Sequence, residues 1–205
     1  MKIVKASHEI ISPLSGVEML QMVERAGRVC YKSEDKITVE SAPAFVAMLI
    51  NRRHEAMLEH GPAIAVKFTV DRGVSHEMVR HRVASFAQES TRYCNYGSGK
   101  FGNEITVIEP IGLEATQYSR WKLTCEWAES GYLALIDGGV SPQMARSVLP
   151  NSLKTEIIIT ANPREWRHIL TLRTSEAAHP QMREVMIPLL AELKARVPVM
   201  FDDIG

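Results

Sequence analysis

Apolar residues follow two different periods along the chain, which predict both strands and helices. Ile64, Val66, Phe68 and Val70 alternate with smaller or polar residues, as expected of a half-buried strand. Apolar positions spaced by three and four residues predict helices with one buried face. The segments predicted in this way are strands at 2–5, 8–11, 64–70 and 156–160, and helices at 16–30, 44–53, 113–137, after Asn162-Pro163 and after His179-Pro180.

Capping residues define the ends of these helices. Ser15 followed by Glu18 forms a capping box, and Asp71 precedes a short helix that leads to Arg80. Gly138-Gly139 ends the long helix, and Ser141-Pro142 begins a short one. The whole chain, 1–205, is therefore predicted to be a single α+β domain, rich in helix, with a modest and mainly antiparallel sheet.

Composition narrows the class of protein. Hydrophobic residues make up 45% of the chain and charged residues 23%, which is typical of a globular protein. Because Lys plus Arg equals Asp plus Glu at 24 each, we expect neither a nucleic acid nor a membrane as partner. An odd number of cysteines, three, and a first segment without the apolar core of a signal peptide predict a cytoplasmic location.

The sequence RHRVASFAQESTRY at 80–93 is unusually rich in hydrogen-bonding side chains. Three adjacent side chains, as in Arg80-His81-Arg82, cannot share one face of a helix or strand, so the triplet taken alone also fits a solvated basic turn. Gln88, Ser90 and Arg92 add neutral donors and another guanidinium. This mixture suits a ligand with phosphate, ribose and a base edge.

Two further clusters have the same character. Arg146 lies within an apolar turn, and Arg164 and His168, spaced i and i+4, share one face of a predicted helix. A basic outer stripe on that helix remains an alternative. His54 and His60 are six residues apart and do not share a helical face, so no metal site is expected there.

These motifs together resemble the flavin-dependent thymidylate synthases. Arg80-His81-Arg82, followed after seven residues by Ser90, is the central motif. The segments 54–60, 145–150 and 162–173 and His179-Pro-Gln extend the resemblance over almost the whole chain. The resemblance implies a homotetramer whose active sites are shared between subunits, with FAD as cofactor. It also implies reductive methylation of dUMP to dTMP, with 5,10-methylenetetrahydrofolate as carbon donor and NADPH as reductant.

The resemblance also implies the site residues. Those expected to bind FAD are Ala56, Glu59, Arg80, His81, Arg82, Gln88, Asn162, Arg164 and His168. Those expected to bind the nucleotide are Glu77, Arg80, Gln88, Glu89, Ser90, Thr91, Arg92, Arg146 and Arg173. Arg173 matches the residue expected to activate the uracil ring, where a guanidinium stabilises negative charge.

Two positions of the chain depart from the family pattern. Ala87 replaces an asparagine and Ala56 a threonine or serine common in relatives, so Ala56 is expected to act through its backbone.

Two alternative functions remain open for the sequence. One is methylation of another pyrimidine nucleotide such as UMP. The other, from a different class, is a nucleic-acid-binding module, which the balanced charge disfavours.

Overall fold

The computed structural model describes residues 1–205, apart from the side chain of Lys100. Its helices are α1 (Gly16–Val29), α2 (Ser41–Asn51), α3 (Arg72–Met78), α4 (Ala115–Asp137), α5 (Pro142–Ala145), α6 (Pro163–Arg173) and α7 (Pro180–Arg196). Its strands are β1 (Lys2–Val4), β2 (Ser7–Ile10), β3 (Ile64–Asp71), β4 (Ser85–Gln88), β5 (Thr106–Ile108) and β6 (Lys154–Ala161). Short 3-10 turns occur at Glu34–Lys36, Glu55–His60, Gly99–Phe101 and Arg146–Val148. The α+β prediction is therefore confirmed.

The strands of the described chain form two sheets. One has the order β2-β3-β6-β4, and the other pairs β1 with β5. The β1–β5 pair is parallel, whereas an isolated bridge between Val107 and Leu153 is antiparallel. The sheet structure is thus mixed, where the sequence predicted mainly antiparallel pairing. The two short strands β4 and β5 were not predicted, since neither has enough alternating apolar residues to stand out from its surroundings.

The predicted caps begin the helices that carry them. Ser15 Oγ accepts the backbone N–H of Glu18 at 3.3 Å, and Asp71 Oδ1 accepts that of Val74 at 2.7 Å. Asn162 Oδ1 accepts the N–H of Glu165 at 2.9 Å at the start of α6. Each of these bonds satisfies a donor that the first helical turn leaves without an intrahelical partner.

The residues fall into two compact units, and each of β2, β3, β4 and β6 contributes to both. Unit 1 comprises 1–7, 68–80 and 87–158. Its core packs Tyr96, Ile105, Val107 and Tyr132 together. Although α4 is 23 residues long, its buried residues are only Cys125 and Tyr132 among those described.

Unit 2 comprises 8–67, 81–86 and 159–205. In this unit α1 packs on α2, and α6 packs on α7 and on the turn Glu55–His60. Trp166 of α6 is fully buried, and its indole N–H donates to the carbonyl of Ile64 at 2.9 Å. This bond and the buried ring fix the orientation of α6, which carries most of the residues discussed below. Within the described residues, no helix is both long and apolar enough to cross a membrane.

Candidate functional site

The first turns of α6 border a cavity of about 550 Å³ in unit 2. Asn162 is the N-cap of α6 and Pro163 occupies its first turn, where the missing proline N–H costs no hydrogen bond. Residues that line the cavity are Glu55, Glu59, Val83, Asn162, Arg164, Glu165, Arg167, His168 and Thr171. Four of them, Glu59, Asn162, Arg164 and His168, are residues predicted to bind the flavin, so the structure brings these four together.

The guanidinium of Arg164 is held by two carboxylates of the same cavity. Arg164 Nη1 donates to Glu59 Oε1, and Arg164 Nε lies 3.8 Å from Glu55 Oε2. All three side chains remain close to half exposed. Solvent-exposed pairs of this kind contribute little to stability, so an anionic ligand can compete for Arg164.

Arg167 also lines this cavity and was not predicted as a site residue. It is 9% exposed, and its two terminal nitrogens each lie 2.7 Å from a carboxylate oxygen of Asp203. Nη1 also donates to the carbonyl of Met200 at 2.5 Å, while the buried Nε has no partner among the described atoms. Arg167 thus ties the C-terminal residues to α6, and the same bond lowers the pKa of Asp203.

His81 and Arg173 form a direct side-chain contact although they are far apart in sequence. Arg173 Nε donates to His81 Nε2 at 3.0 Å. Because the Nε–H of arginine can only donate, His81 Nε2 must be unprotonated and the ring proton of a neutral His81 sits on Nδ1. Glu165 Oε1 lies 3.9 Å from that Nδ1, and the ring of His168 meets the His81 ring edge-on at 5.8 Å.

His81 is 6% exposed, and this burial controls its charge. Burial lowers the pKa of His81 to about 4, and electrostatic interactions with the neighbouring Arg173 and His168 add to the effect. The imidazole is therefore neutral at pH 7, so its approach to Glu165 is not an ion pair there. A neutral ring is what allows Nε2 to accept from Arg173.

In unit 1, Gln88 and Glu89 are held by protein partners. Gln88 Nε2 donates to Ser75 Oγ at 2.8 Å and lies 3.3 Å from Thr155 Oγ1. Glu89 Oε1 accepts from Tyr96 Oη at 2.9 Å and Oε2 from Lys154 Nζ at 3.0 Å. Both carboxylate oxygens of Glu89 therefore have donors inside the protein, so this residue anchors the end of β4.

The residues after Glu89 form a more exposed turn in unit 1. Ser90 Oγ accepts the N–H of Arg92 at 3.3 Å, and the guanidinium carbon of Arg92 lies 5.5 Å from the Tyr93 ring. Arg146 Nη1 donates to Thr91 Oγ1 at 3.2 Å, so the structure brings Arg146, which is also predicted to bind the nucleotide, to this turn. The cluster presents two guanidinium groups and small hydroxyls, which suits a phosphate.

The remaining predicted residues lie as follows. Glu77 is near the end of α3, and Arg80, just after it, is exposed in unit 1. Arg82 is exposed in unit 2. Ala56 does not line the cavity beside α6; it borders a separate, smaller hollow of about 290 Å³ with Cys30, His54 and Met57.

The cavity also contains residues that the sequence did not single out, namely Glu55, Val83, Glu165, Arg167 and Thr171. The signal for Glu165 was its position three residues after Asn162, in the first turn of a capped helix. Glu55, Val83 and Thr171 lie within the segments that carry the resemblance, but no sequence signal marked them individually, because a cavity lining is set by tertiary packing.

Comparison with known proteins gives consistent results. Residues 15–199 match the family model described as thymidylate synthase complementing protein. The flavin-dependent thymidylate synthase of Geobacter sulfurreducens is 32% identical over 191 residues, which cover 89% of this chain and 81% of that protein. The enzyme of the same name from Pyrococcus furiosus is 30% identical, covering 90% of this chain and 75% of that protein.

A solved structure has the same fold. The crystal structure of the UMP/dUMP methylase PolB from Streptomyces cacaoi bound with 5-Br dUMP has a TM-score of 0.81 to this chain. The match covers 98% of this chain and 96% of that chain at 22% sequence identity, which establishes the likeness of fold.

Proposed function

The chain belongs to the flavin-dependent thymidylate synthase family, an enzyme family, and from this premise we propose that it methylates dUMP reductively to dTMP. In the proposed reaction 5,10-methylenetetrahydrofolate donates the carbon and NADPH is the reductant, so the products are dTMP, tetrahydrofolate and NADP⁺. The observation that carries the proposal is the α6 cavity, which collects four predicted flavin residues.

The donor set of that cavity suits the FAD that the family implies. Arg164 and His168 line it at the start of α6, and a helix N-terminus favours anions such as a pyrophosphate. Arg167 also lines the cavity, and its buried Nε has no partner among the described atoms. We propose that Asn162, Arg164 and His168 hold FAD, with His81 and Arg82, and that Glu59 lines the site as the partner of Arg164. Once reduced by NADPH, FAD held there would supply the hydride for the reduction.

The chain's own residues are proposed to hold and polarise the nucleotide. Ser90, Thr91, Arg92 and Arg146 form a cluster suited to phosphate, and Gln88 and Glu89 fix the end of the strand that precedes it. Arg173 is proposed to stabilise negative charge on the uracil ring in the transition state. A guanidinium in that place makes the C5 carbon a better nucleophile without itself transferring a proton.

The direct test is to measure flavin absorbance of the purified protein and its turnover of dUMP and UMP side by side. We expect a bound flavin band, and dTMP formation from dUMP in the presence of 5,10-methylenetetrahydrofolate and NADPH. Preferred turnover of UMP would support the alternative nucleotide. A colourless protein that binds nucleic acid would support the alternative class.

We also propose that the chain assembles as a homotetramer, as the resemblance implies. Support comes from α4, whose side chains Leu123 and Trp127 are 45% and 67% exposed in the single chain. Exposed apolar groups on one long helix suit contact with another copy. Sedimentation of the purified protein should give four times the mass of the chain, and Trp127→Glu should shift it to smaller species. A monomer with full activity would show that the active sites are not shared between subunits.

A further inference from the structure

We propose that His81 is a positioning residue for Arg173: its imidazole accepts the Nε–H of Arg173 and so fixes the plane of the guanidinium. The resemblance implies that His81 helps to hold the flavin, and the positioning of Arg173 is proposed as a second role. It rests on the proposed function, because it takes Arg173 as the group that polarises the uracil.

The first support is geometric. Arg173 is the last residue of α6. An arginine side chain has many rotamers, and a hydrogen bond at Nε restricts the torsion that sets the guanidinium plane. The 3.0 Å contact from Nε to His81 Nε2 is such a restraint, and it comes from a ring that is itself 6% exposed and held by packing.

The second support is the protonation of the ring. Only the tautomer with its proton on Nδ1 can accept at Nε2, and the Glu165 carboxylate 3.9 Å from Nδ1 favours a proton on that side electrostatically. Glu165, 9% exposed on the first turn of α6, is therefore assigned the role of favouring this tautomer. Glu165, His168 and Arg173 are the titratable or charged groups that face the ring from α6.

The third support is that protonation would destroy the contact. An imidazolium has no acceptor at Nε2 and would repel the guanidinium. The low pKa of His81, caused mainly by burial, keeps the acceptor available across the neutral range.

The test compares His81→Gln with His81→Met. The two side chains have similar length, but only glutamine carries an amide oxygen near the position of Nε2. We expect single-turnover methyl transfer to be about ten- to a hundredfold slower in His81→Met than in His81→Gln, since a misplacement of about 1 Å can cost that much. The FAD dissociation constants of the two variants should agree within about twofold.

The same pair of substitutions is then made in the Arg173→Ala background. If His81 acts through Arg173, the difference between glutamine and methionine disappears there, because no Nε–H remains to be held. Equal rates for the two single variants, or a difference that persists without Arg173, would overturn the proposal. A difference that appears in FAD affinity and not in the methyl-transfer rate would also overturn it. His8→Met, at a partly buried histidine bonded to Glu192, is the matched control and should leave the rate unchanged.

A measurement on the cofactor-free protein separates this proposal from the proposed function. Nitrogen NMR of the histidine rings at pH 7 should show His81 with its proton on Nδ1, and should show Arg173 Nε–H as a slowly exchanging donor. Arg173→Ala should allow both tautomers of His81. Finding the His81 proton on Nε2 in the unsubstituted protein would contradict the contact, whatever reaction the enzyme catalyses.

Discussion

Two regions that the resemblance assigns to the nucleotide differ in how their polar groups are held. The turn at 90–93 in unit 1 is largely exposed, and its hydrogen bonds join near neighbours or the exposed Arg146. The C-terminal end of α6 in unit 2 holds Arg173 against a buried imidazole from a distant part of the chain. A polar group in water can exchange one partner for another, whereas a buried one cannot. The end of α6 should therefore be more sensitive to substitution than the turn.

Arg173→Ala is expected to give the largest effect. If the guanidinium stabilises charge that develops only in the transition state, its loss should slow methyl transfer at least about a hundredfold, or about 3 kcal/mol. FAD should remain bound and reducible by NADPH, which flavin absorbance reports. Near-normal dTMP formation by this variant would remove Arg173 from the mechanism.

The neutral state of His81 predicts a loss of stability in acid. Its pKa is about 4 in the folded protein, below the ordinary value of 6.5, so the unfolded chain binds the proton more tightly. The stabilising contribution is complete above pH 6.5 and falls as the pH drops from 6.5 to 4, by up to about 3 kcal/mol. Denaturant unfolding at pH 7 and pH 4.5 should show this loss, and His81→Gln should show less of it. Equal losses of stability in both proteins would show that groups other than His81 cause the acid sensitivity.

The sequence predicted local elements of the structure more accurately than contacts between distant residues. Periodicity and caps located α1, β3, α6 and α7 to within a few residues, because those signals are local. The contact of Arg173 with His81 spans 92 residues of sequence and depends on packing, so no local pattern could reveal it. The burial of Arg167 was missed for the same reason: its partner, Asp203, lies beyond the whole of α7.

The run 80–93 shows that a sequence motif can identify the residues of a region without showing what each of them does. Residues 80–82 and 88–92 of this run were predicted to bind ligands, and the structure adds that Glu89 bonds to Tyr96 and Lys154 within the protein, and Gln88 to Ser75. The run also contains β4, whose four residues are too few to show an alternating pattern. Residue type alone could not separate a ligand contact from an internal anchor.

Arg92→Ala should give an intermediate effect. Removal of one charge-assisted contact to the nucleotide phosphate, worth about 1.5 to 3 kcal/mol, should weaken dUMP binding about ten- to a hundredfold in calorimetry. The flavin band and the stability should change little, because the side chain is exposed. Arg25→Ala, at an exposed residue of α1, is a matched control for the lost charge. Loss of flavin together with dUMP would show that the turn and the cavity act as one unit.

The smallest effect is expected at Glu59. Glu59→Gln removes a carboxylate that holds Arg164 in the cavity, and exposed pairs are worth less than about 1 kcal/mol. FAD should bind up to about fivefold more tightly in a fluorescence titration, since less competition remains for the guanidinium. Glu192→Gln removes an exposed pair with Arg196 outside the cavity and should have no effect. Weaker FAD binding in Glu59→Gln would indicate that Glu59 instead accepts hydrogen bonds from the cofactor.

Omission of one reactant at a time from a reaction of the purified protein tests the central claim most directly. The complete mixture contains dUMP, 5,10-methylenetetrahydrofolate, NADPH and added FAD, and dTMP, tetrahydrofolate and NADP⁺ are quantified. The proposed reaction predicts equal amounts of the three products, and no dTMP when NADPH is left out or when flavin has been stripped and not restored. Formation of dTMP without flavin or NADPH, or no dTMP from the complete mixture, would contradict it.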